Sequence, residues 1–236
     1  MARFYLTTAI DYANGDPHLG HAFEKIGADA IARYRRLRGD DVHFLIGMDE
    51  HGQKVASEAA DRGVTPQALV DEVAERFQAM WKRLSISNDQ FIRTTSADHR
   101  AGVQALIERI FEKSPDDFYE KAYEGWYCVG CESFKQDNEI IQGKCVLHPT
   151  RTLQWVAEKN WFFKLSAYSD RLRELISGTD FLGPKSRRNE MIALIDQGLE
   201  DISASRSRFS WGVPFPRPSS DGETQTTYVW FDALPN

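Results

Sequence analysis

The chain has no apolar run that approaches the length of a membrane-spanning helix, and its first residues lack the apolar core of a secretory signal. These absences predict a protein without a membrane partner, for which the cytoplasm is the expected location. Cysteine is also scarce: three occur among 236 residues, all between positions 128 and 145. An odd number of clustered cysteines argues against a disulfide framework and for a metal site in a reducing compartment.

The chain also has no excess of positive charge. The chain carries 29 basic and 35 acidic residues, which gives a formal net charge of −6 at pH 7. This balance excludes a protein that grips nucleic acid over its whole surface. DNA is therefore not an expected partner, and any contact with RNA must be local.

Strand and helix signals alternate over the first half of the chain, which predicts an α/β fold with a parallel sheet covered by helices. Apolar residues recur at helical spacing along the first helix, at Phe23, Ile26, Ala30, Tyr34 and Leu37. Thr65 and Pro66 are expected to start the third helix. The predicted strands lie at 4–8, 42–46 and 90–92, and the predicted helices at 20–38, 53–61, 65–84 and 96–113.

From about residue 117 the pattern changes to short aromatic segments and turns, which indicates an inserted domain. Within it we expect a strand at 159–165, a helix capped by Ser166 with Leu172 and Leu175 on its apolar face, and a helix at 189–197. A buried strand is expected at 227–231. The predicted division is the first half of a sheet domain at 1–115, an insertion at 116–225 and the start of the second half at 226–236. The chain is expected to be truncated at Asn236.

Two histidines flank a glycine in His18-Leu19-Gly20-His21, between the first strand and the first helix. Backbone N–H groups and the helix dipole favour an anion at a helix N-terminus. Gly20 permits close backbone approach, and imidazoles can donate to phosphate oxygens. The tetrapeptide therefore predicts a phosphate site built without a glycine-rich phosphate loop.

The segment Gly47–Gly52 follows the second strand directly. Ligands of open α/β sheets lie beyond the carboxyl ends of strands, so Asp49 is placed to meet a cation such as an α-ammonium group. In an alternative interpretation Asp49 and Glu50 cap the helix that starts near Gln53. The two roles can divide between the two carboxylates.

The cysteines form the strongest isolated signal, with the spacing C-x2-C-x13-C-x2-H over residues 128–148. The candidate ligands are Cys128, Cys131, Cys145 and His148. Three thiolates and one imidazole make a closed tetrahedral set for one structural zinc ion. Unrelated free thiols are the weaker alternative.

Two later residues carry little information alone. Arg206 lies in a polar turn region, where a solvated arginine is the simpler interpretation. Trp230 lies in the apolar strand predicted near the end, where core packing is the default.

Taken together, these motifs resemble those of class I aminoacyl-tRNA synthetases, and within them the methionyl-tRNA synthetase family. The resemblance covers essentially the whole chain. It rests on an ordered set of motifs: Thr7–Gly15, His18–His21, Gly47–Gly52, the cysteine cluster, Asn160–Phe163, Arg188–Glu190, Asp201–Arg206, Trp211–Pro214 and Tyr228–Ala233. It implies a Rossmann-like parallel sheet of the class I synthetase (HUP) type with a zinc-knuckle connective insertion.

The resemblance also implies roles for individual residues. His18 and His21 correspond to histidines that stabilise the ATP phosphates, and Gly20 and Arg206 belong to the same ATP site. Asp49 corresponds to the residue that holds the methionine ammonium group. The residues Ile10, Tyr12 and Trp230 correspond to walls of the methionine pocket.

The implied activity is that of a methionine–tRNA ligase, with ATP, L-methionine and tRNA(Met) as partners and Mg²⁺ accompanying ATP. The family's lysine-rich KMSKS-type loop and its anticodon-binding helical domain are not among the 236 residues. The alternative is therefore an inactive or weak fragment that binds methionine, zinc or tRNA.

Overall fold

The computed structural model describes residues 1–131, 133–207 and 209–236. A parallel sheet forms the first half, and Leu45 in its central strand pairs with Thr7 on one side and with Gln90 on the other. The strands are β1 (Arg3–Thr7), β2 (Asp11–Tyr12), the central β3 (Asp41–Asp49) and β4 (Gln90–Arg93). The predicted α/β fold with a parallel sheet is confirmed, and the carboxyl ends of β2, β3 and β4 lie at one end of it.

Four helices follow these strands, in the order expected for strand–helix alternation. They are α1 (Leu19–Leu37), α2 (Gln53–Asp61), α3 (Pro66–Arg83) and α4 (Ala97–Lys113). The main core lies between the sheet and α3, where Phe77 and Trp81 pack edge to face at 5.8 Å. Among the described residues, no helix combines the length and the apolar composition that a bilayer span needs.

The apolar face predicted for α1 exists but does not contact the core. Phe23 is 84% exposed and Leu37 is 87% exposed, while Ala28 and Ala32 lie against the sheet. Lys25 is fully buried on the same inner side. Periodicity detects an apolar stripe but does not say which side of the helix faces the sheet.

The first strand is only partly buried. Tyr5 in β1 is 57% exposed, and residues along the strand alternate between exposed and half-buried. The reason is position: among the described residues β1 pairs only with β3, so it forms an edge of the sheet.

Antiparallel strands replace the parallel sheet after residue 117. β5 (Phe118–Cys128) pairs with β10 (Gln154–Phe163) along its length, and β6 (Ser133–Lys135) and β11 (Ile202–Ser203) extend this sheet on either side. A smaller sheet carries part of the cysteine cluster: β7 (Ile140–Ile141), β8 (Lys144–Cys145) and β9 (His148–Thr152). The strand predicted at 159–165 thus begins earlier and ends earlier than expected, because its pairing with β5 fixes its bounds.

The helix capped by Ser166 is a wrong prediction. A 3-10 turn covers Leu165–Tyr168, and α5 (Ser169–Gly178) follows with Tyr168 at its N-cap. The Ser166 hydroxyl donates to Asp201 instead, at 2.6 Å. Ile176 is buried on α5, whereas Leu175 is 38% exposed.

The last elements are α6 (Lys185–Asp196), β12 (Ser205–Arg206), β13 (Thr226–Thr227) and α7 (Val229–Ala233). The buried strand predicted at 227–231 is therefore wrong. The chain turns at Tyr228, whose carbonyl accepts from the N–H groups of Phe231 and Asp232. Asp232 is fully buried, and the polar contacts of this residue favour a helical turn that an apolar run alone does not reveal.

The start of α3 agrees with its sequence signal. The Thr65 hydroxyl accepts a hydrogen bond from the Ala68 N–H at 3.2 Å, and Pro66 occupies the first helical turn. We expect Thr65→Ala to lower the free energy of unfolding by about 1 kcal/mol, because the Ala68 N–H loses its acceptor. Urea unfolding measures this change. Thr65→Ser is the control and keeps the acceptor, so an equal loss in both variants would contradict a capping role.

Candidate functional site

The two histidines build the N-terminus of α1 themselves. His18 is the N-cap residue, and its Nδ1 accepts from the Gly20 N–H at 3.1 Å. The Nδ1 of His21 accepts from the His18 N–H at 3.2 Å, which completes a reciprocal capping box. A ring nitrogen that accepts a hydrogen bond carries no proton, so each neutral imidazole keeps its proton on Nε2. Two Nε2–H donors thus accompany the positive end of the helix dipole.

The surroundings of His21 keep its ring neutral. The two rings stack at a centroid distance of 3.7 Å, and His21 also packs edge to face on Phe77 at 5.2 Å. Burial lowers the pKa of His21 below its ordinary value of 6.5; nearby Asp11 opposes this change, while the charges of His18 and Lys25 add to it. The neutral Nε2–H form is therefore the form of His21 at pH 7.

Gly20 leaves room for the first imidazole at its capping position. A Cβ at this residue would lie 3.0 Å from Cε1 and 3.1 Å from Nδ1 of His18. A side chain here would therefore require the His18 ring to shift by a few tenths of an ångström.

Buried Lys25 ties α1 to the strand that precedes it. Its Nζ donates to the Asp11 carboxylate and to the Ala9 carbonyl, each at 2.9 Å, and also reaches Glu24. A buried ammonium group needs this set of acceptors to offset its lost hydration. The ion pair fixes the segment that contains Ile10 and Tyr12 against the helix that carries the histidines.

The structure brings Ile10, Tyr12 and Asp49 together. Asp49 is the last residue of β3, is 5% exposed, and pairs with Tyr12 across the β2–β3 ladder. A Cβ built on Gly47 would lie 3.1 Å from Ile10 Cγ2 and 2.4 Å from Ile92 Cγ2. This end of the sheet is therefore closely packed around a glycine, with a buried carboxylate beside an isoleucine and a tyrosine.

The interpretation in which Asp49 or Glu50 caps α2 is wrong. The N-cap of α2 is Gly52, which makes no side-chain cap bond and has a φ of 107°. Fully buried Glu50 instead accepts from Arg93 Nε at 2.6 Å and from the Thr95 hydroxyl at 2.5 Å. The carboxylate turns toward the β4–α4 loop because a buried charge requires charged or hydrogen-bonding partners.

Arg206 is only 6% exposed, so its interpretation as a solvated arginine is wrong. Its guanidinium carbon lies 4.2 Å from the ring centroid of Tyr228 and 5.9 Å from that of Phe134. Together with His51 and Trp211 it lines a cavity of about 30 Å³. Its Nη1 also donates to the Ser205 carbonyl at 2.9 Å, and none of the contacts described for Arg206 involves the imidazoles of α1.

Trp230 lies on α7 and not on a strand, and it is 52% exposed. The default of core packing is therefore wrong as well. Asp232, two residues further along the same helix, is fully buried.

Three buried polar residues near the site were missed by the sequence analysis. His51 Nδ1 lies 2.5 Å from Asp232 Oδ2, and His99 Nε2 lies 2.8 Å from Asp232 Oδ1. The only sequence signal was an acidic residue directly after an apolar run at 228–231. Its partners lie 181 and 133 residues away, beyond the reach of local patterns.

The four candidate metal ligands do come together. Their ligand atoms all lie within 4.8 Å of one another, with Cys128 and Cys145 buried. Cys131 Sγ is 3.6 Å from Cys145 Sγ and 3.2 Å from His148 Nδ1, and Cys128 Sγ is 3.8 Å from the same Nδ1. Ligands on a tetrahedral zinc ion are separated by about 3.4 to 3.8 Å, given Zn–S and Zn–N bonds of about 2.3 and 2.0 Å. The donor set and its spacing therefore fit a tetrahedral cation.

Two further features of this cluster are a glycine between two of its ligands and the raised pKa of one thiol. A Cβ on Gly130 would lie 2.5 Å from Cγ of His148, so the turn between Cys128 and Cys131 needs glycine. Burial and hydrogen bonds from the neighbouring thiols raise the pKa of Cys131 to about 11. Binding of a cation must therefore release thiol protons.

Comparison with known proteins gives consistent matches along the chain. The family described as "tRNA synthetases class I (M)" matches residues 4–152 and 140–236. The Methionine--tRNA ligase of Thermosynechococcus vestitus is 46% identical over 98% of this chain and 43% of its own length. That of Thermotoga maritima is 46% identical over 99% of this chain and 37% of its own length. The chain therefore spans less than half the length of these relatives.

A solved structure agrees in three dimensions. Mycobacterium tuberculosis methionyl-tRNA synthetase bound by methionyl-adenylate superposes with a TM-score of 0.90 at 44% identity. The match covers 99% of this chain and 46% of that one.

Proposed function

The chain belongs to the methionyl branch of the class I tRNA synthetase family, and from this premise we propose that it forms the part of a methionine–tRNA ligase that activates methionine with ATP. The observation that carries the proposal is the capping box of α1, which leaves two Nε2–H donors after the carboxyl end of β2. Asp49 lies at the carboxyl end of the adjacent strand. A phosphate and an ammonium group would be bound at the same end of the sheet.

In this proposal Asp49 holds the α-ammonium group of methionine, and Ile10, Tyr12 and Trp230 surround its side chain. A buried carboxylate that meets an ammonium group forms a strong charge-assisted hydrogen bond. Aromatic and aliphatic walls suit a flexible thioether, which makes favourable sulfur–aromatic contacts. Half-exposed Trp230 would gain an apolar neighbour when methionine binds.

On the ATP side, His18 and His21 donate to the phosphates as charge develops, and Gly20 lets the nucleotide approach the helix. Arg206 supplies a further positive charge to the same ligand. The methionine carboxylate attacks the α-phosphorus of ATP, and pyrophosphate leaves to give methionyl-adenylate. The 3′-terminal adenosine hydroxyl of tRNA(Met) then takes the methionyl group and AMP leaves. Positioning and electrostatic stabilisation are sufficient for both steps, so no covalent nucleophile is needed.

Two metal ions belong to the proposal. Mg²⁺ accompanies ATP and is held mainly by its phosphates. Zn²⁺ is held by Cys128, Cys131, Cys145 and His148, and four protein ligands make it structural. Reduced thiols are what such a site requires, which supports a cytoplasmic location.

Methionine-dependent exchange of labelled pyrophosphate into ATP tests the activation step. We expect methionine to drive exchange, and leucine, isoleucine and valine to be ineffective. Exchange driven by one of those three and not by methionine would assign the site to another amino acid.

A second candidate function is a module that binds methionine, zinc or tRNA without ligase activity. The chain spans 37% to 46% of the lengths of the relatives compared above, so ligase activity has to be tested on these 236 residues themselves. Calorimetry of the 236-residue chain with methionine and ATP, alongside the exchange assay, separates the two. Binding without exchange supports the module, and rapid adenylate formation excludes it.

Gly20→Ala is expected to slow methionine-dependent exchange about tenfold, because the new Cβ requires the His18 ring to shift from the position in which it is proposed to donate to the phosphates. Gly27→Ala is the matched control on the same helix, since a Cβ there meets nothing within 4 Å. Initial exchange rates at saturating methionine measure the effect. Equal rates in the two variants would mean that the His18 position does not matter for the reaction.

A further inference from the structure

A buried carboxylate joins two buried histidines beside the proposed methionine pocket. Asp232 is fully buried, His51 is 1% exposed and His99 is 5% exposed. Both carboxylate oxygens are used, Oδ2 by His51 Nδ1 at 2.5 Å and Oδ1 by His99 Nε2 at 2.8 Å. The Asp232 backbone carbonyl also lies 3.0 Å from His99 Nε2. We call these three residues the Asp232 clamp.

The clamp connects three separate elements. His51 belongs to the turn that begins at Asp49, His99 lies in the first turn of α4, and Asp232 lies on α7. Burial alone would raise the pKa of Asp232, but the hydrogen bonds and charges of the two histidines outweigh it and lower that pKa below its ordinary value of 3.8. Asp232 is therefore an anion at neutral pH, and both facing ring nitrogens donate to it.

Helix geometry links this carboxylate to Trp230. Residues two apart on a helix point in nearly opposite directions, since each residue advances by about 100°. The exposures agree, at 0% for Asp232 and 52% for Trp230. Fixing Asp232 inward therefore fixes the direction in which Trp230 points outward. A five-residue helix has little rigidity of its own, so this orientation depends on such anchors.

We propose that Asp232, through His51 and His99, is a positioning residue that sets the distance and orientation of Trp230 relative to Asp49. The proposal rests on the function proposed above, because it makes Trp230 and Asp49 opposite sides of one methionine pocket. The clamp determines how well the pocket is preorganised for methionine. None of its three residues is among those proposed to hold the phosphates, so we expect a change at Asp232 to affect methionine binding more than ATP binding.

The first test compares the affinities of Asp232→Asn and the unchanged chain for methionine and ATP by calorimetry. Asparagine keeps the size of the side chain but can accept from only one of the two histidines. We expect methionine binding to weaken about tenfold, because the pocket loses preorganisation. ATP binding should change less than about twofold. Leu69→Ala is the stability control, since Leu69 is buried on α3 and belongs neither to α7 nor to the clamp.

Conservative variants test the hydrogen bonds one at a time. An asparagine amide at position 51 lies near the place of Nδ1, and a glutamine amide at position 99 lies near that of Nε2. His51→Asn and His99→Gln should therefore retain methionine affinity, whereas His51→Gln and His99→Asn should lose it. Loss in all four variants, or in none, would contradict a role for these particular hydrogen bonds.

A readout that needs no ligand separates this proposal from the proposed function. In the chain labelled with 5-fluorotryptophan, Trp230→Phe assigns the fluorine signal of Trp230. Asp232→Asn should shift or broaden that signal and leave those of Trp126 and Trp155, on the paired strands β5 and β10, unchanged. If the unchanged chain binds no methionine, the proposed function fails, but this signal still decides the positioning role. An unaltered Trp230 signal, or equal weakening of methionine and ATP binding, would overturn the proposal.

Discussion

A chain that carries Cys131→Ser should lose nearly all of its bound zinc, from about one equivalent per chain to less than about a tenth. Cys131 contacts both Cys145 and His148, so its loss opens the ligand set at its centre. Serine is a poor zinc ligand at neutral pH because its hydroxyl keeps its proton. The segment from 128 to 148 should then become accessible to protease, since the buried hydrophobic cluster around the four ligands is small: Cys128, Cys145 and Leu153.

Metal analysis after gel filtration measures this change, and limited proteolysis locates it. Lys144→Ser is the matched control, because it places the same new side chain next to a ligand without removing one. The sheet at 3–93 should keep its thermal transition in both variants. Unchanged zinc content in Cys131→Ser would show that the cluster does not bind the ion through this thiolate.

Asp49→Asn should weaken methionine binding by about a hundredfold, since a buried charge-assisted hydrogen bond is worth about 1.5 to 3 kcal/mol and its loss leaves the ammonium group without a counter-charge. The substitution preserves shape, and Asp49 is held in place through its backbone, whose carbonyl accepts from the Ala13 N–H at 2.9 Å. The fold should therefore survive, and ATP binding should be retained.

Calorimetry with methionine measures the loss. Asp41→Asn is the control, because Asp41 begins the same strand at its opposite, exposed end. Equal affinities in the two variants would remove Asp49 from the ammonium site and contradict the proposed orientation of methionine.

Local signals predicted much of the first half of the chain. The helix predicted at 53–61 begins and ends at those residues, and α3 starts at Pro66 after a Thr65 cap. These elements were predictable because caps, proline and apolar spacing act within a few residues. The direction of the α1 apolar face was not predictable in this way, since it depends on what packs against the helix.

The residues of the candidate site also fall into those that local motifs predict and those that depend on distant contacts. Contiguous motifs identified His18, His21, Asp49 and the four clustered metal ligands as candidates. The buried state of Arg206 depends on Tyr228, which is distant in sequence. The helical turn at 229–233 depends on Asp232 and its partners in α4 and the turn after β3, which no local pattern connects.

In the proposed function, the two histidines of the α1 capping box both cap the helix and bind a phosphate. These two roles favour different types of residue. A serine at position 18 and a glutamate at position 21 would form the usual box, in which the same two backbone N–H groups are accepted by residues that helix starts prefer. Those residues would also remove both Nε2–H donors and place a negative charge where a phosphate would bind. A redesign that considered only the preferences of helix starts would therefore replace the two histidines, and under the proposed function it would lose the phosphate site.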